Sequence, residues 1–227
     1  ACKRAGQWQA ALDLLREMKD AGLTPDSACY DTVISASCLS DDPDQWKIAR
    51  GLLREQAAAA KKAAAGGAAA LPTGCKKAGR PEQAVALLRE MRREGRDPDL
   101  ISYNTTISAC VKSREWRRAL AILREMQRTE ESGVVPDVYS YGSVITACAT
   151  AAKVKQAVEV FDEMRKAGVV PDAFTYNSLA TAYAKGGRWQ EALSTLAEMA
   201  ELGHAGDAVS YSAAIRACGR AGECDRA

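Results

Sequence analysis

Two stripes of apolar and small side chains, separated by a short polar turn, run through residues 100–137. The first stripe comprises Tyr103, Thr106, Ile107 and Cys110, and the second comprises Trp116, Ala119, Leu120, Ile122, Leu123 and Met126. Side chains three or four positions apart share one face of an α-helix, so each stripe predicts one helix. The corresponding turn at residues 185–188 contains two glycines, which favour a helix end. Residues 100–137 are therefore predicted to form a helix–turn–helix hairpin.

The hairpin pattern returns about every 35 residues along the chain. The spacing between consecutive methionines is 35 or 38 residues in the series Met91, Met126, Met164 and Met199. Met18 lies two such intervals before Met91, and Gln56 occupies the position between them. Glycine followed by proline closes the second helix of several units, as in Gly168 and Pro171. A period of this length, without any strand pattern, predicts an all-α solenoid of stacked hairpins.

We take each unit to end at the aspartate of a Pro-Asp pair or at its equivalent, so one repeat array covers residues 1–227. The units are 1–26 (partial), 27–64, 65–99 (degenerate), 100–137, 138–172, 173–207 and 208–227 (partial). The alanine-rich segment Ala57–Ala70 fits either a linker or two degenerate helices, and the preserved spacing from Gln56 to Met91 favours the helices. The partial units at both ends predict a fragment of a longer array, or the visible part of one held in a complex.

Composition narrows the range of functions. Hydrophobic residues make up 47% and charged residues 26%, which is typical of a soluble protein, and no apolar run of 18 residues predicts a membrane span. The net charge is +2, from 31 basic and 29 acidic residues. This balance lacks the strong basic excess of a non-specific nucleic-acid binder, so any RNA contact must depend on locally arranged groups.

The cysteines and the single histidine indicate no disulfide, metal site or catalytic site. Five of the eight cysteines recur at one register of the repeat and no C-x-x-C pair occurs, so we expect buried thiols in a reducing compartment. His204 has no partner for nucleophilic catalysis. We therefore expect no enzyme activity, no metal site and no cofactor. The five recurring cysteines are Cys2, Cys75, Cys110, Cys148 and Cys218.

The run from Ser102 to Cys110, followed by Glu125-Met126 and then by Val135-Pro136-Asp137, resembles the pentatricopeptide repeat family. The same skeleton returns in residues 138–172 and 173–207. The tetratricopeptide repeat is the nearest rival, but it carries its tryptophan in the first helix of the unit. Here the second helix opens with tryptophan, at Trp8, Trp116 and Trp189.

The resemblance implies a right-handed superhelix with the first helices on the concave face. It also implies sequence-specific binding of single-stranded RNA in a plastid or mitochondrion, in support of RNA processing, stability or translation. In that family one unit faces one base, its fifth and last residues read the base, and its second residue wedges between bases. The base-reading positions are Asn104 with Asp137, Gly142 with Asp172, Asn177 with Asp207, and Ser212. The base-wedging positions are Ile101, Tyr139, Phe174 and Val209.

Asn with Asp is similar to a uridine-reading pair, so units 100–137 and 173–207 are expected to prefer uridine. The pair Gly142 and Asp172 matches no base-reading combination of the family. The same holds for Ala69 with Asp99 and for Asp31 with Ala64. Simpler interpretations stand beside these: Pro-Asp is an ordinary helix N-cap signal, and Asn after Tyr suits a helix start. Lys112, Lys153, Lys155 and Lys185 could meet phosphates or be solvated residues favoured by the helix dipole. The alternative function is a scaffold subunit making protein contacts in a large organellar complex.

Overall fold

The computed structural model describes residues 7–38, 43–62, 80–93, 95, 97–128, 134–203 and 206–221. Within these ranges the chain forms eleven helices and no strand, which confirms the predicted all-α class. The helices are α1 Gln7–Asp20, α2 Ser27–Cys38, α3 Pro43–Lys62, α4 Pro81–Arg93, α5 Leu100–Lys112, α6 Trp116–Arg128, α7 Val138–Thr150, α8 Val154–Lys166, α9 Ala173–Lys185, α10 Trp189–Glu201 and α11 Ala208–Ala221.

The chain divides into two compact units. The N-terminal unit comprises Ala1–Ser113 and Glu131–Val134 and contains α1 to α5, whereas the C-terminal unit comprises Arg114–Glu130 and Val135–Ala227 and contains α6 to α11. In the N-terminal unit each helix packs against the next one along the chain. In the C-terminal unit α9 packs against α7 and α11, and α8 and α10 pack against these first helices. Stacked helical hairpins of this kind confirm the predicted α-solenoid.

Aspartates at the ends of the repeat units begin the next first helices. Asp99, Asp137 and Asp172 have extended backbones, and the Oδ1 of each accepts a hydrogen bond at 2.8 Å from the backbone N–H three residues later. A side-chain oxygen that satisfies an otherwise unpaired N–H stabilises a helix by about 0.5–2 kcal/mol. The Pro-Asp pair therefore does act as an N-cap signal, and this role fixes where each aspartate lies.

The recurring methionines and cysteines are core residues. Met91, Met126, Met164 and Met199 are buried, as are Cys110, Cys148 and Cys218, whose thiols are free. Burial raises the pKa of the Cys148 thiol to about 11. Gln56, which interrupts the methionine series, is also buried, and its Nε2 donates to Asp31 Oδ1 at 3.2 Å. Cys2, Cys75, Ala64, Ala69 and most of Ala57–Ala70 lie outside the described residues.

Ion pairs join second helices of successive repeats, a feature that the sequence analysis did not predict. In the N-terminal unit Lys19 pairs with Glu55, and Arg50 and Arg54 both pair with Glu90, at 2.8 and 2.6 Å. In the C-terminal unit Arg124 pairs with Glu163, and Arg165 Nη1 lies 2.8 Å from Glu198 Oε1. These contacts supplement the apolar packing between neighbouring hairpins.

Candidate nucleic-acid interface

Asn177 and Asp207, the fifth and last residues of unit 173–207, are in direct contact. Asn177 lies in the second turn of α9 and its Nδ2 donates to Asp207 Oδ2 at 2.9 Å. The other carboxylate oxygen, Oδ1, accepts from the N–H groups of Val209 and Ser210 at 2.9 Å. Asn177 therefore does not cap a helix, and the cap at this junction is Asp207.

The electrostatics of this pair leave one acceptor available for chemistry. The hydrogen bond from the Ser210 N–H holds the pKa of Asp207 below its usual value, against the opposing effect of burial. Asp207 is therefore a carboxylate at neutral pH and orients the amide of Asn177. Asn177 Oδ1 is buried and accepts no hydrogen bond within the described chain. An unsatisfied buried acceptor costs about 1–3 kcal/mol, so a polar partner that reached Asn177 Oδ1 would be bound favourably.

The equivalent residues of unit 138–172 are Gly142 and Asp172, and glycine has no side chain to donate a hydrogen bond to the aspartate. Asp172 Oδ1 accepts from the Thr175 N–H at 2.8 Å and from Thr175 Oγ1 at 2.7 Å. A Cβ atom placed on Gly142 would lie 3.0 Å from Thr175 Oγ1 and 3.4 Å from Phe174 Cδ1. Gly142 thus lies against Phe174 and Thr175 and offers no side chain to a base.

The remaining predicted reading residues are Asn104, Asp137 and Ser212. Asn104 is half-buried on α5 in the N-terminal unit, whereas Asp137 caps α7 in the C-terminal unit, where Ser140 Oγ donates to its Oδ1 at 2.8 Å. The pairing of Asn104 with Asp137 stays a prediction. Ser212 Oγ donates to the Val209 carbonyl of its own helix at 3.0 Å. Asp31 is engaged by Gln56 from the second helix of its own unit.

All four predicted wedge residues are exposed in the first turn of a first helix. Such large apolar side chains cost free energy in water, so their exposure is consistent with a stacking partner. The exposed fractions are 57% for Ile101, 41% for Tyr139, 52% for Phe174 and 54% for Val209. Tyr211 and Ile215 on α11 are similarly exposed and were not singled out in the sequence.

A cluster of cations lies between α9 and α11, at the C-terminal end of α9. Lys185, Arg216 and Arg220 line a cavity of about 100 Å³ together with Thr181 and Ala184. No described carboxylate pairs with these three cations. Burial, followed by the charges of Arg114, Arg216 and Arg220, holds the pKa of Lys185 below its usual value. Like charges held together in this way favour the binding of an anion.

Lys185 is the only one of the four predicted lysines that lies in this cluster. Its Nζ donates to the Thr150 carbonyl at 3.3 Å. Lys153 lies over the ring of Trp116, and Lys155 lies 4.0 Å from Glu159. Arg216 and Arg220 were missed in the sequence, although Arg220 follows Lys185 by 35 residues and so occupies the same register.

Comparison with known proteins identifies the repeat. The model described as the PPR repeat family matches residues 1–39, 73–112, 98–150 and 136–185. A second model, described as the PPR repeat, matches residues 174–204 and 209–227. Together these matches cover most of the sequence. The chain belongs to the pentatricopeptide repeat family.

Two curated pentatricopeptide repeat proteins of Arabidopsis thaliana are similar to part of the chain. Pentatricopeptide repeat-containing protein At3g09650, chloroplastic, is 32% identical over 117 residues, which cover 51% of this chain and 15% of that protein. Pentatricopeptide repeat-containing protein At5g25630 is 26% identical over 119 residues, which cover 52% of this chain and 21% of that protein. The chain therefore spans only a small part of the length of the curated relatives that it matches.

Solved pentatricopeptide repeat structures match nearly the whole chain. The crystal structure of PPR10 from maize has a TM-score of 0.61 and 27% identity, and the match covers 96% of this chain and 30% of that one. PPR10 in complex with an 18-nt psaJ RNA element has a TM-score of 0.61 and 28% identity, over 97% of this chain and 35% of that one. Among the described helices, none is long and apolar enough to cross a membrane. The described residues also contain no cluster of side chains suited to hold a metal ion.

Proposed function

We propose that this pentatricopeptide repeat chain binds single-stranded RNA, with one nucleotide facing each unit. The observation that carries the proposal is the Asn177–Asp207 pair, in which a carboxylate fixes an amide and leaves its carbonyl oxygen without a hydrogen bond. A carbonyl oxygen accepts the N3–H of uracil, whereas the amide N–H donates to a neighbouring uracil oxygen. The geometry thus supports the uridine preference expected of unit 173–207, and by the same register that of unit 100–137.

The cation cluster supports contact with the RNA backbone. Lys185, Arg216 and Arg220 supply positive charge at one place on a chain whose net charge is only +2. Burial is the larger cause of the lowered pKa of Lys185, and a phosphate in this cavity would offset the repulsion from the neighbouring arginines that adds to it. Because the relative PPR10 was crystallised with an RNA element, the proposal has a precedent at 28% identity. The name of the chloroplastic relative supports an organellar location. A role in organellar RNA processing, stability or translation is part of the proposal.

A scaffold role in a large organellar assembly is the second candidate. Exposed apolar side chains favour this role. They lie shortly before the proline at the end of a repeat unit, at Leu23, Val135 and Val170. Apolar side chains repeated at exposed turns are typical contact points for protein partners. Such a protein would not need the Asn177–Asp207 pair for binding.

Fluorescence anisotropy with labelled RNA tests the proposed function. We expect the chain to bind single-stranded RNA, with an affinity that falls by about 0.7 log units per decade of salt for each phosphate contacted. Lys185→Ala combined with Arg216→Ala should weaken binding to all sequences equally and make the salt dependence shallower. Lys155→Ala is the matched control, because Lys155 lies on α8 beside Glu159. Absence of RNA binding at low salt would refute the proposal.

A further inference from the structure

We propose that copies of this chain join head to tail, with α11 of one copy packing on α1 of the next copy. The two helices would form a packed pair of the kind that α9 and α10 form within one chain. The contact joins a face of α1 that contains Leu14 to a face of α11 that contains Tyr211 and Ile215. This assembly goes beyond RNA binding and does not depend on it.

α1 lacks one of the two contacts that other second helices make. The second helices α8 and α10 each pack on the first helix of their own unit and on the first helix of the next unit. α1 has the sequence register of a second helix and packs on α2, the first helix that follows it. No described first helix precedes α1. The side of α1 that corresponds to the contact within a unit is therefore uncovered in the described structure.

The uncovered side of α1 carries apolar residues that other units bury. Ala11, Leu14 and Met18 lie three and four residues apart, so they share one face of the helix. Leu14 is 64% exposed, and Ala11 and Met18 are half-buried. The equivalent residues of α8 are at most 1% exposed: Ala157, Val160 and Met164. This face of α1 thus has the chemistry of a face that packs on a first helix.

α11 exposes the complementary face of a first helix. Tyr211 and Ile215 lie four residues apart on α11 and are 57% and 51% exposed. The equivalent pairs in α2, α5, α7 and α9 are at most 4% exposed: Tyr30 and Ile34, Tyr103 and Ile107, Tyr141 and Ile145, Tyr176 and Ala180. No described second helix follows α11. Large apolar side chains exposed side by side are typical of an association surface.

Polar groups on the two faces also match. In unit 173–207 the hydroxyl of Tyr176 on the first helix donates to Glu198 Oε1 on the second helix, at 3.2 Å. Glu198 directly precedes the recurring methionine of its unit, and Glu17 holds the same place on α1. Tyr211 of one copy can therefore donate to Glu17 of the next copy, and this hydrogen bond fixes the register of the contact.

A second copy of this chain is the partner because the chain itself carries both complementary faces. The two faces are different surfaces, so the contact is heterologous. Each added copy again presents one free α1 face and one free α11 face. Association should therefore grow with concentration and continue beyond a dimer.

Sedimentation velocity on the full chain and on two variants tests this assembly. Leu14→Glu and Ile215→Glu each place a charge in the proposed contact. Both residues are more than half exposed, so each variant should keep its fold, as circular dichroism can verify. We expect the wild type to form species larger than a dimer as its concentration rises over about a hundredfold range. Each variant alone should associate at least about tenfold more weakly.

A mixture of the two variants separates head-to-tail joining from other modes of association. The Leu14→Glu copy keeps an intact α11 face and the Ile215→Glu copy keeps an intact α1 face, so equal amounts should form a dimer and nothing larger. Val170→Glu is the matched control, because Val170 is 75% exposed between α8 and α9, outside both faces, and this variant should associate as the wild type does. A wild type that stays monomeric or stops at a dimer, variants that self-associate like the wild type, or a mixture that stays monomeric would each overturn the proposed assembly.

Discussion

The carboxylate of Glu90 offers a sharp test of how neighbouring second helices are joined. Its side chain is only 3% exposed and accepts from Arg50 Nη2 at 2.8 Å and from Arg54 Nε at 2.7 Å. Removing one partner of a buried ion pair costs about 3–5 kcal/mol. Because the two arginines are 36% and 57% exposed, water compensates part of this loss. We expect Glu90→Gln to destabilise the contact between α3 and α4 by about 2 kcal/mol.

Hydrogen exchange of the α3 and α4 backbone amides measures this loss locally, which matters because solenoid stability is a sum of local terms. A loss of 2 kcal/mol corresponds to exchange about 30-fold faster in the N-terminal unit. Glu55→Gln is the control, since Glu55 holds the same place in the preceding unit but is 54% exposed, and its pair with Lys19 should be worth under about 0.5 kcal/mol. Equal effects of the two substitutions would refute the reasoning.

The same group predicts a dependence on pH. Burial alone would raise the pKa of Glu90, but the hydrogen bonds from Arg54 and Arg50 outweigh it and the net pKa lies below the usual 4.5. A lowered pKa in the folded state gives stability that is present above the unfolded pKa and is lost as pH falls through the folded pKa. Acid unfolding of the N-terminal unit should therefore become less steep in Glu90→Gln, measured by circular dichroism.

Two further predictions concern the C-terminal unit. Cys148, whose pKa burial raises to about 11, should not react with a thiol reagent at pH 8 until the protein unfolds, whereas half-buried Cys29 in the N-terminal unit should react faster than Cys148. Rapid native labelling of Cys148, read by mass spectrometry, would contradict its burial. Gly142→Asn should lower the thermal stability of the C-terminal unit, because the added Cβ would lie 3.0 Å from the buried Thr175 Oγ1. Unchanged thermal unfolding of that variant would show that α7 and α9 accommodate the added side chain.

The helices and the repeat register were predictable because they depend on periodicity alone. Apolar stripes three and four residues apart fix α5 and α6, and the Pro-Asp pairs fix the N-caps of α7 and α9. The register also places Asn177 and Asp207 at corresponding ends of one unit, and the structure brings them to 2.9 Å.

Other contacts were not predicted from the sequence, because they depend on side chains from two neighbouring units. The cation cluster needs α11 to lie beside α9, although the spacing between Lys185 and Arg220 already equals one repeat. The ion pairs between second helices have a similar signal, since a glutamate precedes the methionine position in each of the six units that contain it, as Glu90 precedes Met91. The hydroxyl contact of Thr175 with Asp172 also has a repeat signal, because a serine or threonine stands three residues after four of the five unit-ending aspartates, as Ser140 follows Asp137.

Selection from a randomised pool of single-stranded RNA tests the central claim most directly. We predict enrichment of two uridines separated by one position. In Asn177→Ala only the uridine facing unit 173–207 should lose its enrichment, while the rest of the motif persists. Recovery of no common motif by the wild type, or loss of the entire motif in a folded Asn177→Ala variant, would contradict reading of one base by one unit.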